Sequence, residues 1–309
     1  MRLIITGGLG HIGSGIITKI QTFHQLKEII VIDNSTSDKI NLFFNQKFKL
    51  PLKILDEDLV NFKLDKILRN GDVIIHLAAI TNATESFQNE KKIFYNNFLT
   101  TKKVVDSCKK KKIKCIFVSS TSVYGSSDKV MYEDTQHNIK PQSPYAKCKI
   151  KEEKYIFKNL KKNSKNTKFI ILRLGTIFGV SLGMRFHTAV NKFCYQAAMN
   201  KPLTIWKTAY SQKRPYLDLN DAIDCFRFII EKNKFNNQVY NLVTNNLSIK
   251  QLIGYIKRYK KIKIKLVKNK IMNHLSYEAS CKKISDYGFK CNGKLNKQIK
   301  LTLKKIRRI

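Results

Sequence analysis

Thr6-Gly7-Gly8-Leu9-Gly10-His11-Ile12-Gly13 directly follows a short apolar run, Leu3–Thr6, and opens a stretch with helical spacing, His11–Phe23. A strand that ends in glycines and runs straight into a helix is built to hold a phosphate. Gly7 permits the tight turn, Gly10 carries no Cβ to keep backbone away from a pyrophosphate, and Gly13 lets the helix lie close on the sheet. The helix N-terminus adds free N–H groups and a partial positive charge. A second apolar run, Ile29–Asp33, places an acid twenty residues beyond Gly13. Asp33 is suited to accept hydrogen bonds from an adenosine ribose. It would repel a 2′-phosphate, and no Arg lies in 34–38 to neutralise one, so the expected cofactor is NAD.

Working outward, further apolar runs follow at Leu52–Leu55, Asp72–Ala79, Cys115–Ser119, Phe169–Leu174 and Val239–Val243. They are continuous rather than alternating, which indicates strands covered on both faces. Helical patterns occupy Glu90–Lys112, Pro144–Asn163, Ala189–Met199 and Asp221–Lys232. The alternation predicts an α/β fold, a Rossmann doubly wound parallel sheet with a smaller, mixed α/β substrate-binding lobe. Residues 1–174 plus 214–243 are expected to form the NAD-binding domain, and 175–213 plus 244–309 the lobe.

The chemistry gathers at Tyr145-Ala-Lys-Cys-Lys149, which puts a phenol and an ammonium on one helix face. A nearby ammonium and the positive nicotinamide ring of a bound cofactor both favour phenolate and are expected to lower the Tyr145 pKa, making it a usable base. Ser120, at the end of the fifth strand, stands where doubly wound folds present ligands.

TGGLGHIG, VIDN, HLAA, SSTSVYG, PQSPYAKCK, LRLGTIFG and QKRPYLDLND, in this order, resemble the extended short-chain dehydrogenase/reductase family. The likeness is to its NAD-dependent nucleotide-sugar epimerase/dehydratase branch (UDP-glucose 4-epimerase-like), over nearly the whole chain. The resemblance implies a catalytic triad of Ser120, Tyr145 and Lys149. It implies cofactor contacts at Gly7, Gly10, His11, Ile12, Gly13, Asp33, Asn34, Asp58, Leu59, Leu77, Ala78, Ala79 and Asn97, besides Tyr145 and Lys149. Substrate contacts fall on Ser120, Thr176, Arg185 and Arg214. The implied chemistry takes a hydride from a sugar carbon, often C4, onto NAD held by the enzyme.

Dehydratases of this family carry an Asp-Glu pair after the strand-end residue. Here Thr121 and Ser122 stand there, and neither can do that acid–base work, so an epimerase acting at C4 is expected. Glu85 or Asp218 would have to substitute in a dehydratase. A 4-ketoreductase or dehydratase of the same family, and a non-catalytic basic binding protein, are the alternatives. The expected partner is a nucleotide-diphosphate sugar. The resemblance also implies a homodimer through helices near 90–112 and 144–163.

Composition bounds the rest. The chain has 309 residues and a formal net charge of +37, with 43% hydrophobic residues, too many for a wholly disordered chain. The charge is uneven: +2 over residues 1–100, +19 over 101–250 and +16 over 251–309. Only nine of the 59 basic residues are Arg, the side chain that reads bases bidentately, so no specific nucleic-acid partner is expected. The seven cysteines form no C-x-x-C pair, which argues for reduced thiols in the cytoplasm and against a metal site. No apolar stretch is long enough for a membrane span.

Overall fold

Each apolar run of the first half becomes a strand of one sheet. The computed structural model describes residues 1–35, 39–81, 87–134, 139–161, 167–268 and 276–307. Its strands are β1 (Arg2–Thr6), β2 (Glu28–Asp33), β3 (Leu52–Asp56), β4 (Val73–His76), β5 (Lys114–Ser120), β6 (Val130–Met131), β7 (Phe169–Leu174), β8 (Thr176–Phe178), β9 (Leu203–Trp206), β10 (Lys213–Asp218), β11 (Gln238–Leu242), β12 (Asn245–Ser248), β13 (Ile264–Val267) and β14 (Glu278–Ala279). The main sheet has seven parallel strands in the order β11-β7-β5-β4-β1-β2-β3. The chain therefore leaves β1 in one direction and returns to its other side at β4. The switch point lies between the carboxyl ends of those two strands, where such folds bind ligands.

The helices are α1 (His11–Lys19), α2 (Glu90–Ile93), α3 (Leu99–Lys111), α4 (Pro144–Ile156), α5 (Ala189–Ala198), α6 (Leu219–Glu231), α7 (Ile249–Lys257), α8 (Lys282–Asp286) and α9 (Leu295–Ile306). α1 and α6 cover one face of the main sheet, with Ile16, Ile17, Ile223 and Phe226 in its core. α3 and α4 cover the other, with Val104, Val105, Ile156 and Phe169 at its centre. This double cover explains why the strands are apolar throughout. A third core, around Phe193, Ile253 and Ile299, joins α5, α7 and α9 in the smaller lobe.

Two elements sit differently from the expected division at 213/214. β10 lies between β12 and β8 in a separate three-stranded sheet, although α6, which follows it, packs on the main core. Ile284 and Phe289, expected in the lobe, are buried in that same main core. Neither shows in the sequence, because a short strand in a small sheet carries the same apolar signal as one in a large sheet.

α4 starts sharply. Ser143 caps it, its hydroxyl accepting from the Ala146 N–H at 3.2 Å, and Pro144 follows in the first turn, where its missing N–H costs nothing. The cap fixes the rotation of α4, so Tyr145 and Lys149 face the sheet end. A buried polar chain then ties α4 to the sheet. Glu153 receives Arg173 of β7 through two bonds of 3.0 and 2.7 Å and the Ser119 hydroxyl at 2.6 Å. Arg173 also donates to Tyr124, whose hydroxyl donates to Asn241 of β11 at 2.7 Å. Removing one partner would strand a buried charge. Glu153→Ala is expected to cost about 3–5 kcal/mol, read as a lower urea midpoint at unchanged slope.

Candidate active site

The glycine turn fits where it does because two positions in it have no room for a Cβ. Gly7 has φ +68°, and a Cβ there would stand 2.7 Å from the backbone of Ala78, in the loop after β4. At Gly13 a Cβ would lie 2.5 Å from Gly8. The first turn of α1 holds no acidic residue, so nothing offsets the positive end of its dipole. Asp33, at the end of β2, accepts the Leu9 N–H at 3.0 Å and the Ser35 N–H at 3.2 Å. It thereby braces the turn itself.

The loop after β4 is held by Asn97, which lies in a single π-helical turn, Phe94–Phe98, between α2 and α3. Its amide accepts the Ile80 N–H at 2.8 Å and donates to the Ile80 carbonyl at 3.0 Å. Gly7, Gly10, His11, Ile12, Gly13, Leu77, Ala79, Tyr145 and Lys149 all border one cavity of roughly 410 Å³. Asp33, Asn34, Asp58, Leu59, Ala78 and Asn97 do not border it. Of these, Asn34 and Asp58 are exposed and Leu59 is buried in the core beneath α3.

Tyr145 and Lys149 lie on successive turns of α4, with the ammonium 5.8 Å from the phenol ring centre. Lys149 is buried and donates to the Val118 carbonyl at 3.1 Å and to Glu152 at 2.8 Å. The Ser120 hydroxyl, at the end of β5, accepts from the Ser122 N–H at 3.2 Å and the Ser122 hydroxyl at 2.9 Å. The Lys149 ammonium, one of the two influences expected to lower the Tyr145 pKa, does not lower it by itself. Burial raises the phenol above its ordinary value; Lys149 opposes this and Glu152 reinforces it. Burial pulls the Lys149 ammonium down, but Glu152 and Tyr145 outweigh it and the net direction is up. Sequence reasoning passed over Glu152, although its place three residues beyond Lys149 on a helix is a readable sign of contact.

The substrate side is built by β8, β10 and the loop between β8 and α5. Thr176, Arg185, His187, Trp206 and Arg214 all border the cavity. One terminal nitrogen of Arg214, Nη2, is buried without a hydrogen-bond partner. A guanidinium nitrogen without a partner, on a residue that borders a cavity, suits an oxyanion. Arg185 sits nearer the glycine turn than expected for a purely substrate residue. It donates to Thr81 at 2.6 Å, and a Cβ on Gly10 would stand 3.7 Å from its guanidinium. Its loop rests on the turn: Ser181 donates to the His11 carbonyl at 2.8 Å and the Gly183 N–H donates to Ser14 at 2.8 Å.

Among the described residues, no Asp or Glu borders the cavity. Thr121 there is engaged by Tyr277 at 3.1 Å, another lining residue that the sequence did not announce. Asp218 lies away from the cavity and caps α6 by accepting the Asn220 N–H. Glu85 lies outside the described residues. The described residues also contain no His/Cys/Asp/Glu group able to hold a metal, and no helix long and apolar enough to cross a membrane.

The profile of the NAD dependent epimerase/dehydratase family matches residues 3–242. The chain belongs to this family. It is an enzyme of the nucleotide-sugar epimerase/dehydratase type, and its cofactor is NAD. A dTDP-D-glucose 4,6-dehydratase of Dictyostelium discoideum is 30% identical over 79% of this chain, which spans 58% of that relative's length. An ADP-L-glycero-D-manno-heptose-6-epimerase of Brachyspira hyodysenteriae is 27% identical, over 79% of this chain and 76% of its own. Among solved structures, a UDP-N-acetylglucosamine 4-epimerase from Methanobrevibacter ruminantium M1, in complex with UDP-N-acetylmuramic acid, superposes with a TM-score of 0.86 at 26% identity, covering 100% of this chain and 99% of that one. The residues present suit the dinucleotide, since Gly7, Gly10 and Gly13 put no Cβ into the turn and the helix behind it opens without an acid.

Two buried histidines beside this site make stability pH-dependent. Burial lowers His76 to about 3 and His11 to about 4, from an ordinary 6.5. The unfolded chain therefore binds more protons than the folded one below 6.5. Their contribution is complete above that pH and is lost as the pH falls through about 4 for His11 and about 3 for His76. Urea midpoints should drop across this range, and less steeply in His76→Gln than in wild type.

Proposed function

We propose that this enzyme is a nucleotide-diphosphate-sugar 4-epimerase. One observation carries the reading. Ser120, Tyr145 and Lys149 border a cavity whose described lining holds no carboxylate, so the means for hydroxyl deprotonation are present and the acid pair for water loss is not. NAD, when bound, would supply a reversible hydride acceptor for C4 of the sugar. Tyr145 takes the C4 hydroxyl proton and returns it to the same oxygen once the 4-keto sugar has turned over, so that the opposite face of C4 is the one that regains the hydride. Ser120 donates to the reacting oxygen and aligns it with the phenol. Lys149 supplies the positive field that stabilises phenolate.

Gly7, Gly10, His11, Ile12 and Gly13 are assigned to the cofactor's diphosphate, and Asp33 to its adenosine ribose. Asn34, Asp58 and Leu59 border the adenosine side. Leu77, Ala78, Ala79 and Asn97 shape the nicotinamide side, Asn97 acting through the Ile80 backbone. Arg214 and Thr176 take the substrate diphosphate. Arg185, whose guanidinium lies beside Gly10, is assigned to the substrate. The dimer that the family resemblance implies would use α2, α3 and α4, where Tyr95 is 64% exposed and Lys151 lies 4.4 Å from the Phe98 ring centre.

The test is a panel of UDP-, dTDP- and ADP-hexoses with product mass and sugar stereochemistry read together. An isomer of unchanged mass is expected. A keto-deoxy product lighter by one water would establish the dehydratase reading, which the resemblance to the Dictyostelium dehydratase supports. Tyr145→Phe should lower kcat by about 10²–10⁴ with the fold intact. Arg214→Ala should raise KM roughly tenfold with little change in kcat, the pattern of a binding contact shared by ground and transition states.

A further inference from the structure

α4 carries two adjacent buried carboxylates, and they have different partners. Glu153 is fully engaged by Arg173 and Ser119. Glu152 pairs with Lys149 at 2.8 Å, with both side chains at or below 5% exposed. Its other oxygen is 3.4 Å from the Cys148 thiol. A buried ion pair is close to break-even against apolar packing, so stability is a poor account of it. Its position offers a better one, because Lys149 is the ammonium that faces the phenol.

We propose that Glu152 is a positioning residue that pins the Lys149 ammonium and offsets part of its field at Tyr145, thereby setting the pH at which the phenol gives up its proton. The inference rests on the reading of Tyr145 as the base. The groups facing Tyr145 and Lys149 are few. α4 presents Cys148 and Glu152, β4 presents His76, the loop after β8 presents Arg185, and Tyr277 approaches from the lobe. His76 is held by Thr6 at 2.8 Å and Thr101 at 3.1 Å, and burial keeps it neutral near pH 7. Among the described residues Glu152 is the only carboxylate of this set; Glu153, which borders the same small void as Lys149, is taken up by Arg173 and Ser119. Removing the Glu152 charge leaves Tyr145 and Lys149 sharing one net positive charge, and the first proton then leaves that pair at lower pH.

Wild type, Glu152→Gln and Glu152→Asp would be labelled with carbon-13 at the tyrosine Cζ, with Tyr145→Phe used to assign the Tyr145 resonance. Glu152→Gln is expected to lower the first ionisation of the pair by about one pH unit, and the acid limb of kcat/KM should move with it. Glu152→Asp keeps the charge and should titrate within about half a unit of wild type. An unchanged ionisation in Glu152→Gln, or an equal shift in both variants, overturns the proposal in favour of simple packing. So does a loss of kcat that is uniform across pH. If Glu152→Gln does not fold, Glu152→Asp decides alone, and a fall of about one unit there is the overturning result. The resonance titration needs no turnover. A sugar panel without conversion would therefore defeat the epimerase reading and leave the ionisation result standing.

Discussion

The structure depends on one close approach. β1 and β4 end side by side, and the turn after β1 passes the loop after β4 with no room for a side chain at Gly7. That contact is possible because the residue is glycine, and the positive φ it adopts is costly for anything else. From it follow the direction of α1, the placing of its N-terminus at the switch point, and the opening between the two halves of the sheet. The seven strands and their two apolar covers form a frame that holds two loops at this separation.

The catalytic side chains depend on α4 in a similar way. Ser143 and Pro144 set where the helix begins, and Glu153 sets how it lies on β5 and β7. Tyr145 and Lys149 are carried between those two restraints. Ionic groups are thus buried on consecutive residues, Glu152 and Glu153. One serves the architecture. The other sits against the ammonium that borders the cavity.

Most of the main sheet was legible in the sequence, because strands covered on both faces leave unbroken apolar runs such as IIVID and FIILRL. The glycine turn and the Tyr145–Lys149 pair were legible because each is a local spacing on one element. The identity of NAD rested on Asp33 at the end of the second run. What escaped were facts of tertiary packing. The assignment of β10 to a small sheet depends on which neighbours it meets, Thr176–Phe178 and Asn245–Ser248, and not on its own residues. Tyr145 was expected to have a lowered pKa because Lys149 was visible in the sequence, whereas burial and Glu152 were not weighed. Arg185 was assigned to the substrate, and sequence order hides that its loop folds back onto the first turn of the chain.

That fold-back has a mechanical consequence. Ser181 and Gly183 are fastened to His11 and Ser14, and the loop that carries them leaves β8, which pairs with β10. Two hydrogen bonds thus link the small sheet that holds Arg214 to the first helix of the chain, so the two walls of the cavity are hinged to one another and not only to the main sheet.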